Sequence, residues 1–219
     1  MKIDTSKHSH FSFDLWLTLI RSNPSFKAKR NALFKAVFNI GEPLEKVAAI
    51  VRHYDVLANK ISEVSGRHMY AEQIYCLVLQ ALHIDLNEHT QQLLQTFQAE
   101  ADELFMLYKP VLLHTNLQQH FEAIRAQGKS ISILSNTAFI KGSVLRQVLA
   151  HYELSELLSF QLYSDEIGYA KPAGKAFDLV YQHANSIRPI DKSSILHIGD
   201  NPTADYHGAI NFGFNALLI

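Results

Sequence analysis

Five short segments, at 10–15, 131–134, 158–163, 194–198 and 215–219, are rich in apolar or β-compatible residues and bounded by turn or helix-start residues. Compact apolar runs so bounded predict strands buried on both faces, as in a parallel sheet. Between the last four, and once before them, apolar residues recur at helical spacing. Leu117, Phe121 and Ile124, closed by Gly128, form the first of these segments, and Val144, Leu145, Val148 and Leu149 the second. Phe177, Val180 and Tyr181 form a third, and Ala204, Ala209 and Ile210 a weaker fourth. Strands alternating with single helices predict an α/β fold with a doubly wound parallel sheet.

Residues 21–109 break the alternation and read as helices only: Phe26 to Phe38, Leu44 to Val64, Tyr70 to Leu82, and Leu86 to Tyr108. Asn23-Pro24 opens the first, since proline fits a first helical turn. Gly41-Glu42-Pro43 separates the first two, Ser65-Gly66 ends the second, and Pro110 marks the return of the chain to the sheet. The division predicted is a core of residues 1–20 and 110–219 with an inserted all-α module at 21–109. Phe26, Phe34, Phe38 and Tyr54 fall at roughly helical spacing and predict the interior of that module. Arg21, Asn23, Lys27 and Arg30 predict an exposed helix face, with contact to an anionic substrate as the alternative.

Composition narrows the class. With 47% apolar and 19% charged residues the chain suits a globular protein, and no apolar run approaches the roughly 20 residues that span a bilayer. A formal net charge of -1 gives no reason to expect nucleic acid or an anionic membrane as partner. The start, Met1 to His8, is polar and lacks the apolar segment of a secretory signal. One cysteine, Cys76, excludes an internal disulfide framework and reads as a core residue between Tyr75 and Leu77. The expected location is cytoplasmic.

Ligands of open α/β sheets bind beyond the carboxyl ends of the strands. Four polar features fall there: Asp14, Ser135-Asn136-Thr137, Lys171-Pro172, and Asp200 with Asp205 five residues on. Phosphoryl transfer needs one group of each kind. A carboxylate attacks phosphorus, a hard cation on carboxylates offsets charge, a lysine relieves repulsion, and a hydroxyl holds the phosphoryl oxygens. Each residue alone has an ordinary explanation, such as a turn carboxylate, a helix N-cap at Ser135 or a solvated lysine. Their convergence favours a site.

In order and spacing these segments resemble the motifs of the haloacid dehalogenase (HAD) superfamily. Asp14-Leu15-Trp16-Leu17-Thr18-Leu19 is similar to the first, Ile133-Leu134-Ser135-Asn136 to the second, Ala170-Lys171-Pro172 to the third, and Gly199-Asp200-Asn201-Pro202-Thr203-Ala204-Asp205 to the fourth. The helical module falls where many members insert a cap. The resemblance implies a Rossmann-like HAD core and assigns Asp14 as nucleophile, assisted by Lys171, Ser135 and Thr18. It implies Mg²⁺ held by Asp14, Asp200 and the Trp16 carbonyl, with Asp205 an outer ligand or a partner orienting Lys171. Asn136 and Trp16 would contact substrate.

Trp16 departs from the family. Phosphatases usually carry an aspartate there, which protonates the leaving oxygen, and indole cannot. Loss of a general acid costs about 10²–10⁴-fold in rate. Haloacid dehalogenases have an aromatic residue there, but their fourth motif differs from the Gly-Asp-x4-Asp pattern seen here. Phosphonate-cleaving members use a cap lysine, and Lys27, Lys29 and Lys60 read better as surface lysines. Among the twelve histidines, the pairs His8/His10 and His197/His207 lack a third zinc ligand at a recognised spacing and read as structural. The sequence therefore predicts an Mg²⁺-dependent phosphatase acting on a small phosphorylated molecule through an aspartyl-phosphate. The alternatives are a weak or inactive member that binds a phosphorylated ligand or partner, or a metal-free dehalogenase.

Overall fold

A computed structural model describes residues 5–219, so that Met1–Asp4 of the polar start lie outside the described residues. Strand β1 (His10–Phe13) is followed by a two-residue strand β2 (Ile20–Arg21) and helices α1 (Phe26–Val37), α2 (Leu44–Ser65), α3 (Ala71–Ala81) and α4 (Glu88–Leu107). The chain continues through β3 (Val111–Leu112), α5 (Leu117–Ala126), β4 (Ser130–Ser135), α6 (Gly142–His151), β5 (Phe160–Tyr163), α7 (Ser164–Ile167) and α8 (Gly174–Ile187). It ends with β6 (Ile195–Gly199), a wide π-type turn at Pro202–His207, α9 (Gly208–Phe212) and β7 (Asn215–Leu218). Among the described residues no helix is long and apolar enough to cross a membrane.

The main sheet has the order β5-β4-β1-β6-β7, with every neighbouring pair parallel. His10 of the central strand lies opposite Ser130 on one side and Ile195 on the other. Side-chain alternation explains the two layers. Phe11, Phe13, Ile131 and Ile133 point to one face and pack with α5 and α6 through Leu117, Phe121, Leu145 and Val148. Leu134, Leu162 and Ile195 point to the other and pack with Phe177, Val180 and Ala184 of α8. Covering on both faces buries the central strands almost throughout, although His10, Ser12, Ser132 and His197 put polar groups on one of those faces. The polar exceptions are satisfied internally: His10 bonds Ser130 Oγ at 2.7 Å and Ser132 Oγ at 2.8 Å.

Helices α1–α4 lie between the small antiparallel pair β2 and β3 and surround their own apolar cluster, including Phe34, Phe38, Val51, Tyr75 and Phe97. Tyr54 is half-buried against this cluster and Cys76 packs beside it, whereas Phe26 joins the sheet's cluster through Phe105. The first helix begins at Phe26 rather than at Pro24. The Asn23 side chain accepts from the Ser25 N–H at 3.0 Å, a local turn that completes before the helix starts. Ser135 caps no helix, because the next one begins at Gly142.

The end of α2 is stitched to the connection between β5 and α8. His68 N–H donates to Gly168 O at 3.3 Å, Ala170 N–H to Gly66 O at 3.1 Å, and His68 Nδ1 meets Ser164 Oγ at 3.0 Å. Gly66 has φ +68, and an added Cβ would stand 2.8 Å from Ala173 Cβ. Only glycine permits both the left-handed helix end and that close approach. The stitch fixes the segment that carries Lys171.

Candidate active site

Three strand ends and one helix connection deliver the polar groups. Asp14 continues β1, its N–H bonded to Ile198 O at 2.8 Å, and Asn136 follows β4. Asp200 follows β6, and Lys171 lies in the connection before α8. Lys171 is 1% exposed, and its Nζ donates to Asp14 Oδ1 at 2.7 Å and to Asp205 Oδ1 at 2.6 Å. A solvated helix-start lysine is thereby excluded. Asn136 clamps the backbone of this residue: Lys171 N–H donates to its Oδ1 at 2.7 Å and its Nδ2 donates to Lys171 O at 2.9 Å. Its amide thus positions Lys171 while also forming part of the cavity wall.

Asp205 is placed by the π-type turn, an irregularity common at functional sites. Gly199 makes room for it, since a Cβ there would fall 2.2 Å from Asp205 Cγ. Besides Lys171, Asp205 accepts from Asn201 N–H at 3.0 Å and from His197 Nε2 at 3.1 Å. A carboxylate only accepts, so Nε2 carries the histidine proton and Nδ1 accepts from Ser12 Oγ at 3.0 Å. His197 was missed as a site residue. Its position in a buried strand was legible, but its contact with Asp205 is tertiary.

The electrostatics follow from burial. Desolvation pushes Asp14 up to about 7, against the pull of Lys171 and helped by the Asp205 and Asp200 carboxylates. Burial also pushes Asp205 upward, but the Lys171 ammonium and the hydrogen bonds from His197 and Lys171 outweigh it and hold the carboxyl below its ordinary range. Burial lowers Lys171, yet Asp14 and Asp205 raise it overall, so it stays an ammonium. Asp200, half-buried, is raised by burial and then by the charge on Asp205.

Carboxylate oxygens of Asp14, Asp200 and Asp205 lie within 4.8 Å of one another. An all-oxygen donor set suits a hard divalent cation. Within it, among the described residues, Asp205 has both oxygens engaged by three donors, whereas the Asp14 carboxylate is bonded only through Oδ1. The arrangement therefore fits a cation on Asp14 and Asp200, with Asp205 orienting Lys171. Ligation requires the deprotonated carboxylate. Mg²⁺ affinity should accordingly fall by up to about tenfold per pH unit below the Asp14 value and level off above it. Calorimetric titrations at about pH 6 and about pH 8 check this; equal affinities would contradict it.

The site floors a cavity of about 350 Å³, at the small end of ligand pockets. Trp16 lines it half-buried, its ring 6.2 Å from Phe105, as does the exposed Leu17 in a left-handed conformation with φ 60. Thr18 and Ser135 are not on the wall. They are buried behind it at 0% and 1% exposure, and the Thr18 hydroxyl has no partner among the described residues. From the helical insertion come Lys27 and Arg30 of α1 and Asp55, Asn59 and Glu63 of α2, the last three one turn apart on one helix face. Asn201 Nδ2 donates to Glu63 Oε1 at 2.7 Å, tying that face to the loop after Asp200. Arg30 corrects an expectation: it is 7% exposed, because it sits four residues from both Phe26 and Phe34 on the buried side of α1. Arg21 and Lys27 are exposed and Asn23 half-buried.

A parallel sheet with acidic groups and a buried lysine at its carboxyl edge defines an α/β protein with a charged site where such sheets bind ligands. The family model for haloacid dehalogenase-like hydrolases matches residues 9–213, and the chain belongs to that family. Similar solved structures include the HAD hydrolase YfnB of Bacillus subtilis bound to magnesium, with 17% identity over 98% of this chain and 89% of that one, TM-score 0.68. A HAD phosphatase of Thermococcus onnurineus is 16% identical over 96% of this chain and 86% of its own, TM-score 0.68. A 2-haloacid dehalogenase of Pseudomonas syringae pv. Tomato is 22% identical over the same shares, 96% and 86%, TM-score 0.63. At these identities the likeness carries the fold alone. No curated protein sequence matches significantly.

Proposed function

We propose that this chain is an Mg²⁺-dependent phosphatase that releases phosphate from a small phosphate monoester through an aspartyl-phosphate on Asp14. The observation that supports it best is the buried Lys171 bridging Asp14 and Asp205 with Asp200 alongside. One Asp14 oxygen attacks phosphorus and the ester P–O bond breaks, the electron pair leaving with the alkoxide. Water then attacks phosphorus, frees phosphate and restores the carboxylate. Lys171 keeps the nucleophile oriented and offsets the approach of two anions. Mg²⁺ bound by Asp14 and Asp200 would neutralise charge on the phosphoryl oxygens. Helices α1–α4 act as a cap that closes the cavity and selects the substrate.

The test is phosphate release from a panel of small monoesters with Mg²⁺ and with excess chelator. Release with Mg²⁺, and its loss on chelation, is expected. Chloride release from haloacids without metal would support dehalogenation instead, a reading favoured by the aromatic Trp16 and opposed by Asp200. Binding without any turnover would point to a non-catalytic member.

Trp16 limits one step. With no carboxyl at that position, the departing alkoxide takes its proton from water. Trp16→Asp should therefore raise the rate for poor leaving groups, by up to about 10²-fold, and leave activated aryl esters little changed. Rates for paired alkyl and aryl esters read this directly; an equal fall for both would show that the indole serves packing against Phe105 instead.

A further inference from the structure

Among the described residues Arg30 has no anionic partner, although it is buried. Its guanidinium carbon lies 4.7 Å from the Phe139 ring centroid and 5.8 Å from that of Phe26. Nε and Nη2 both donate to the neutral Asn31 Oδ1, at 3.3 and 3.1 Å. Among the described residues no carboxylate comes within 4.0 Å of its nitrogens. A buried charge left uncompensated is costly. The two rings flank the guanidinium, a planar fork of the kind that captures an oxyanion with two hydrogen bonds.

The side chain opens on the same cavity as Asp14 and Lys171, from the opposite, helical wall. Lys27, three residues earlier on α1, adds a second positive charge to that wall. Two carboxylates of α2 line the same cavity, and Asp102 shares a smaller one with Arg30, none of them paired with it among the described residues. Asp55 is held by Arg52 at 2.9 Å, and Glu63 accepts from Asn201 at 2.7 Å. No carboxylate among the described residues pairs with Arg30, and a cavity of about 350 Å³ leaves a ligand held at the floor within a short chain's reach of it.

We propose that Arg30, seconded by Lys27, binds a second oxyanion of the substrate, a carboxylate or a further phosphoryl group. The preferred substrates are then phosphate monoesters with another anionic group at the far end. This rests on the phosphatase reading of the same site.

The probes are short alkyl phosphonates, which resist hydrolysis, ending in carboxylate, a second phosphonate, hydroxyl or ammonium. Binding to the full-length protein with Mg²⁺ is measured by calorimetry. Either anionic end should bind about 10–100-fold more tightly than the hydroxyl end, the size of a charge-assisted hydrogen bond, and the ammonium end weakest. The tighter of the two anionic probes identifies the group. Arg30→Met should collapse the anionic-over-hydroxyl ratio towards one, and Arg30→Lys, which keeps charge but loses the fork, should give an intermediate ratio. Equal binding of all four probes by the unaltered protein overturns the proposal. So does a ratio preserved in Arg30→Met or, if that variant does not fold, in Arg30→Lys, because a purely structural arginine would weaken every probe alike. Because the probes are not turned over, selective binding without phosphate release would sink the phosphatase reading alone. Release without selectivity would sink the Arg30 assignment alone.

Discussion

Asp14→Asn should lower phosphate release by more than about 10³-fold and leave the protein folded. The amide matches the carboxylate in shape and still accepts a hydrogen bond from Lys171, but it cannot form the acyl phosphate. It also removes one of the carboxylates that would hold the cation. Folding should survive because burial already disfavours the Asp14 charge, which is what pushes its carboxyl up to about 7. Above that pH the native state carries a buried anion at a cost, and asparagine does not. Phosphate release and thermal unfolding, measured side by side without and with Mg²⁺, check both halves. Activity close to that of the parent would remove Asp14 from the chemistry.

Lys171→Met should be the most destabilising single change at the site, by about 3–5 kcal/mol in metal-free buffer. Two nearly buried carboxylates, Asp14 at 6% and Asp205 at 2% exposure, share this one ammonium. Removing it leaves the two carboxylates with no cation between them, and Asp205 with only the His197 and Asn201 N–H donors among the described residues. Both carboxylates would then bind protons more readily when folded than when unfolded, so stability should recover as pH falls below neutrality. The parent has the opposite tendency at Asp205, where the lowered carboxyl contributes stability that is present above the unfolded value and lost on acidification. Denaturant unfolding at about pH 5 and about pH 8 reads the difference. A loss under about 1 kcal/mol at both would mean that water, rather than Lys171, satisfies the carboxylates.

Much of this architecture was legible from periodicity. The five strands fall within about two residues of the expected bounds, because the central ones are buried almost throughout and the edge strands β5 and β7 keep the same short apolar pattern. The helices of the insertion were visible for a related reason: each needs an apolar stripe toward its neighbours. The short β2 and β3 were not, since two-residue strands carry no period. Asp14, Lys171, Asp200 and Asp205 could be proposed because their motifs are local in sequence. Their partners were harder to find. His197 touches Asp205 through the turn of the chain, and Glu63 reaches Asn201 across 138 residues. Arg30 had a usable signal that its charge obscured. Phe26, Arg30, Phe34 and Phe38 form one i, i+4 stripe, and a single arginine inside an apolar stripe marks a buried cation rather than a solvated face. Trp16 shows the complementary limit. Its identity was plain, but its orientation against Phe105 depends on α4, nearly ninety residues away.

Asp14 is the proposed phosphoryl acceptor, and acid quench during turnover tests that role most directly. The protein is mixed with Mg²⁺ and the best ester of the panel, stopped in acid within the first turnovers, digested and mapped by mass spectrometry. The predicted result is one phosphoryl group on the peptide containing Asp14, absent from Asp14→Asn and removed by hydroxylamine. Rapid phosphate release with that peptide never labelled, or with the label on another residue, would contradict it.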